Sequence, residues 1–178
     1  MYATDIDDFE TLEPMSFLPL VTDLNREFVA RQFDDLGPEA CMAEITELLV
    51  RENPEVLDMV RRCATDIGGG PEVMIGFGMF YQLLLSAAAD AYGRQTLHTL
   101  PRVSASTRDA LARDIDENGA EAFTTQAIAK LERTNPQLLQ MAHGFASRAE
   151  DYLLVMLGFA LLYNSLELQS ATDRKYLH

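Results

Sequence analysis

The chain has 178 residues, 28 acidic against 14 Lys and Arg, and a formal net charge of -14. Hydrophobic residues make up 48% and charged residues 24%, which excludes a wholly disordered or collagen-like chain and fits one domain with a sizeable core. A chain this acidic is a poor non-specific ligand for DNA or RNA, because phosphate binding runs on Lys and Arg.

Residues 1–17 carry five acids (Asp5, Asp7, Asp8, Glu10, Glu13) and no Lys or Arg. A secretory leader needs a basic start followed by an apolar run, so this segment reads as an acidic tail and the expected location is cytoplasmic. Cys41 and Cys63 each sit inside an apolar helical pattern, and are expected to be buried free thiols.

Comparing the chain with itself is the most informative step. Shifted by 82 residues, Leu18–Leu84 aligns with Leu100–Leu166 without a gap, and 23 of the 67 pairs are identical. The reading is a tandem duplication, with copy one over 18–99, copy two over 100–170 and a C-terminal tail over 171–178. Each copy should form four helices. The first starts after Leu-Pro at Thr22 or Ser104, good N-caps, and stops at Gly37 or Gly119. The second runs about Glu39–Arg51 and Glu121–Arg133. Asn53-Pro54 and Asn135-Pro136 then open the third, with Asn expected to cap and Pro in the first helical position. The fourth spans about Glu72–Ala91 and Glu150–Gln169. No period-2 apolar stretch marks a strand. The expected fold is all-α: about eight helices in a pseudo-twofold bundle around a central apolar helix pair.

That central pair contains Val73–Ala89 and Tyr152–Leu166, uncharged runs of 17 and 15 residues. Both are shorter than the roughly 20 residues that span a bilayer, so buried bundle helices are expected and a membrane-inserted hairpin is the alternative. Gly76-Phe77 and Gly158-Phe159 lie in their middles. Glycine there weakens a helix by about 1 kcal/mol relative to Ala, and close helix approach is the expected compensation.

Motifs for chemistry are missing. There is no HExxH, ExxH or GxSxG, so no catalytic residue, metal site or cofactor is assigned. Gly68-Gly69-Gly70-Pro71 has no nearby Lys and reads as a turn, not a phosphate loop.

The copies differ in charge. Net charge is -5 over 1–17, -7 over 18–99 and -2 over 100–178. Glu44, Glu47, Glu52, Glu55 and Asp58 of copy one correspond to Gln126, Ala129, Thr134, Gln137 and Gln140 of copy two. The backbone therefore does not demand acids there. A one-sided negative field steers basic partners, although acids also serve solubility. The five acids are the expected partner-binding residues. The structural set is Asn53, Pro54, Gly76, Phe77, Asn135, Pro136, Gly158 and Phe159.

The leading expectation is a non-enzymatic adaptor or regulator that binds a basic protein surface, with an acidic DNA mimic as a special case. Copy two would then be scaffold or homodimer contact. The alternatives are a small-molecule binder or enzyme with a pocket between the copies, and a membrane-associated helical protein.

Overall fold

Turn residues divide the chain into helices. In the computed structural model, which describes residues 18–68, 71–92 and 100–176, eight helices and no strand occur among the described residues. They are α1 (Asp23–Leu36), α2 (Pro38–Glu52), α3 (Pro54–Ile67), α4 (Pro71–Tyr92), α5 (Ala105–Asn118), α6 (Ala120–Thr134), α7 (Pro136–Arg148) and α8 (Tyr152–Tyr176). The expected acidic tail over 1–17 lies outside the described residues. At Gly37 and Gly119 the backbone takes φ of 84° and 90°, a region that a Cβ disfavours. Each glycine ends one helix and leads directly into the next.

The N-terminal caps explain how α1 and α5 are held. Thr22 Oγ1 accepts the Asn25 N–H, and Asn25 Oδ1 accepts the Thr22 N–H, a reciprocal capping arrangement. The Asn25 amide also donates to Asp90 (2.7 Å) and Ser86 (3.1 Å) on α4. At the start of α5, the Ser104 N–H and the Thr107 hydroxyl both donate to Gln169 Oε1 on α8, and Gln169 donates onward to Asp173. This lattice of bonds runs past residue 170, and α8 continues to Tyr176. Residues 171–176, expected as tail, are therefore helical.

α4 lies against α1, α2 and α3 of its own half and against α7. α8 lies against α5, α6 and α7 of its own half and against α3. The two long helices also touch each other. The main core draws on both halves, with Val29, Ile45, Leu49, Val56 and Leu83 from the first and Leu131, Leu138, Met156, Leu162 and Leu166 from the second. Leu111, Phe123, Ala127 and Ala160 form a smaller satellite under α5.

Asn53 and Asn135 do not cap. Neither makes a side-chain cap bond; both are buried and reach into the opposite half. Asn53 Oδ1 accepts the Val103 N–H (3.0 Å) and Asn53 Nδ2 donates to the Pro101 carbonyl (2.8 Å). Asn135 Oδ1 accepts the Val21 N–H (2.9 Å) and Asn135 Nδ2 donates to the Pro19 carbonyl (2.9 Å). An amide carries both a donor and an acceptor, so one side chain satisfies an N–H and a C=O of one non-helical segment together. Asn53 Nδ2 also lies 3.3 Å from the Tyr81 hydroxyl. Burial pushes that phenol up to about 12, so it stays a neutral hydroxyl that can accept the bond. Pro54 and Pro136 still open their helices as expected.

A phenylalanine ring fills the space at each central glycine. A Cβ on Gly158 would lie 2.8 Å from Phe77 Cε1 and closer still to Cζ, and a Cβ on Gly76 would lie 3.0 Å from Phe145 Cδ1. Phe77 meets Phe159 edge-on with centroids 4.9 Å apart. Phe80 lies 5.0 Å from Phe159 and 6.4 Å from Tyr163. Such pairs add to what area burial alone contributes. α4 and α8 are long and apolar enough to cross a membrane by length and composition, and 50% and 61% of their apolar windows are buried inside the fold.

Four substitutions should register this architecture in urea unfolding. Asn135→Ala leaves the Val21 N–H and Pro19 carbonyl without that partner and should cost about 2–4 kcal/mol. Asn118→Ala, which removes an exposed bond to Asp114, should cost no more than about 0.5 kcal/mol. Gly158→Ala should destabilise by about 1–3 kcal/mol through overpacking on Phe77. Gly144→Ala on α7, where a Cβ meets nothing within 4 Å, should stabilise by up to about 1 kcal/mol.

Candidate functional site

The five acids are not equivalent in the fold. Glu44 and Glu47 are exposed on α2, three residues apart and so on one side of the helix. Asp58 is exposed on α3. Glu52 is exposed at the end of α2, with Arg51 at 3.7 Å. Glu55 is half-buried and tied to Arg108 of α5 at 2.7 Å. Its carboxylate therefore joins the two halves and is committed within the molecule. The 82-residue counterpart of this pair is Arg26 with Gln137, at 2.6 Å, and Gln140 at 3.3 Å. A guanidinium meets an amide in one place and a carboxylate in the other, so the position needs an acceptor and not a charge.

The second feature is apolar. Leu20, Leu24, Phe28, Leu36 and Val50 of the first half are 58%, 74%, 46%, 49% and 58% exposed. The residues 82 positions later are Arg102, Ser106, Ala110, Asn118 and Glu132. All five are at least partly exposed, and four are polar. Leu24 and Phe28 are four apart on one flank of α1, and Arg26, about 200° round the helix from Leu24, faces α7. The second half exposes Leu153, Leu154 and Leu168, two of them in the first turn of α8.

Electrostatics differ between the halves inside as well. Lys130 on α6 pairs with Glu167 on α8, whose side chain is 8% exposed against 32% for the lysine. Glu167 Oε2 and, three residues earlier, Asn164 Oδ1 are buried with no hydrogen-bond partner. In the first half the matching residues are Leu48 and Leu85, both packed on the main core. Sequence reasoning missed this pair and the link from Glu55 to Arg108. The signal for the first was present, because the residues 82 positions before the lysine and the glutamate are both leucine.

Both cysteines are free, Cys41 buried and Cys63 partly buried. Burial pushes the Cys63 thiol up to about 11, so it is a thiol and not a nucleophilic thiolate near neutral pH. His143 and Tyr152 stack, with ring centroids 5.8 Å apart, and hydrogen-bond to each other between α7 and α8. Among the described residues no group of three or more His, Cys, Asp or Glu comes together to hold a metal ion. The fold and surface define an all-helical bundle with an acidic, partly apolar first half. No family model, no curated protein and no solved structure matches the chain.

The Lys130–Glu167 pair makes a quantitative expectation. Lys130→Leu leaves a buried carboxylate without its cation and should cost about 2–4 kcal/mol. Lys130→Leu with Glu167→Leu copies the first half and should be within about 1 kcal/mol of the parent, or more stable. Chemical denaturation of the two variants and the parent checks both statements.

Proposed function

We propose that the chain is a tandem duplication whose halves are related by a pseudo-twofold axis between α4 and α8, and that it works as a non-enzymatic interaction protein. The reciprocal bonds of Asn53 and Asn135 support the symmetry, as do the crossed contacts of α3 with α8 and α4 with α7. The partner is a protein presenting a basic amphipathic helix. Its apolar side would meet the α1 flank, and its Lys and Arg would be drawn by the acids of the first half.

The observation that carries this reading is the apolar set Leu20, Leu24, Phe28, Leu36 and Val50, exposed in one half, against Arg102, Ser106, Ala110, Asn118 and Glu132 in the other. The fold tolerates polar or small residues at these positions, so leucine and phenylalanine exposed at these positions are a choice of the first half. Neighbouring exposed apolar residues rimmed by charges, as Leu24 and Phe28 are one turn apart on α1, are the kind of patch that protein partners cover. Solubility alone would favour acids but not exposed leucines. Glu44, Glu47 and Asp58 remain the steering acids, while Glu55 is engaged with Arg108.

The test uses fluorescence anisotropy with a labelled Leu/Lys amphipathic helical peptide and a Leu/Glu peptide of the same pattern. The Leu/Lys peptide should bind more tightly, and its affinity should fall with salt. Leu24→Ser with Phe28→Ala, the residues of the second half, should weaken binding about tenfold or more at every salt concentration. Glu44→Gln, Glu47→Ala and Asp58→Gln together should flatten the salt dependence. Equal affinity for the two peptides, or unchanged binding by both folded variants, would overturn the reading.

A further inference from the structure

A cleft of about 480 Å³ opens where α3 and α7 end and α4 and α8 begin. Its apolar wall is built from both halves by Ile67, Val73, Gly76, Phe145, Val155 and Phe159. Its polar lining is Glu72, Arg148, Glu150 and Asp151, three carboxylates against one guanidinium. The volume falls in the range of about 300–1,000 Å³ typical of small-molecule sites, and an apolar wall with a few polar groups is their usual make-up. The cleft is separate from the exposed flank of α1, and its existence does not depend on the protein partner proposed above.

The polar lining determines the charge of the occupant. Asp151 already accepts the Leu154 N–H at 3.1 Å at the start of α8, so part of its acceptor capacity is used. Glu72 lies in the first turn of α4, and Glu150 is exposed in the short link between α7 and α8. Their surplus over Arg148 favours a cation at the mouth. Val73 and the half-buried Phe145 ring in the wall suit an apolar body. Residues 1–17 are a poor occupant, because they carry five acids and no Lys or Arg. An anionic amphiphile is disfavoured for the same electrostatic reason.

We propose that this cleft binds a small amphipathic cation, an amine or quaternary ammonium on an apolar aliphatic or aromatic body. The body lies against Val73 and Phe145, and the charge lies beside Glu72 and Glu150. Three carboxylates against Arg148 leave a surplus of two negative charges, and the apolar wall selects a cation that carries an apolar body.

Three probes with one body and three heads test the proposal: 4-phenylbutylammonium, 4-phenylbutanol and 4-phenylbutyrate. Each is titrated into the full chain and followed by calorimetry and by amide shifts in two-dimensional NMR. The amine should bind about fivefold to tenfold more tightly than the carboxylate, the size of two partly exposed ion pairs. Its shifts should fall on the ends of α3 and α7 and the starts of α4 and α8. Glu72→Gln with Glu150→Gln, both at exposed positions, should reduce the preference to about twofold or less while the alcohol binds as before. Ala149→Phe should fill the cleft and abolish binding of all three probes; if it fails to fold, the double Gln variant still decides. The proposal is overturned if no probe binds at millimolar concentration, if the carboxylate binds as well as the amine, or if the shifts map to Leu24 and Phe28 instead.

Discussion

Two buried asparagine side chains hold the halves together. Asn53 and Asn135 each stand at a helix–helix turn and each satisfies a backbone N–H and a backbone carbonyl in the other half. The segments they hold, Leu18–Val21 and Leu100–Val103, lie outside regular secondary structure and lead into the caps of α1 and α5. A buried segment outside regular structure has polar groups that need partners. Here each is paired through the opposite half, so neither half is complete by itself. The prolines contribute by removing a donor: Pro19 and Pro101 have no N–H, which leaves each carbonyl to be satisfied and fits a single amide.

From that constraint the core follows. Once the halves are joined, α4 and α8 become central helices, each covered by helices of both halves. Their apolar residues face protein over much of the circumference, which relieves the usual demand for a polar face. Gly158 makes room for the Phe77 ring, and Phe77, Phe80, Phe159 and Tyr163 interlock around it. Glu167 is one of the buried polar residues of α8, and it pairs with Lys130 of α6. The counterpart of that pair, Leu48 with Leu85, is apolar and packed, so the architecture accommodates either solution.

The same framework leaves freedom at the surface, and the halves use it differently. Where one presents leucine, phenylalanine and valine to solvent, the other presents Arg102, Ser106, Asn118 and Glu132. Acids are concentrated in the first half as well, but Glu55 belongs with the internal ties, since Arg108 holds it. The second half supplies that tie in reverse, from Gln137 and Gln140 to Arg26. Reading a charge as a binding feature therefore depends on whether a cation inside the molecule has already claimed it.

The all-helical class, the turns and most helix limits were legible from local chemistry: Thr22 and Ser104 as caps, Gly37 and Gly119 as stops, Pro54 and Pro136 as openings. These are short-range effects, decided within a turn of helix. The 23 identities in 67 pairs at a shift of 82 residues were legible too, because they are a property of the string. What Asn53 and Asn135 do was not, since a local cap and a bond across 50 or 114 residues call for the same side chain. The fate of Glu55, the ring that fills the space at Gly158, and the cleft between the ends of α3, α7, α4 and α8 were likewise decided only by tertiary structure. Each depends on which distant groups packing brings within a few ångströms. Periodicity specifies which side of a helix is buried, but not what it is buried against.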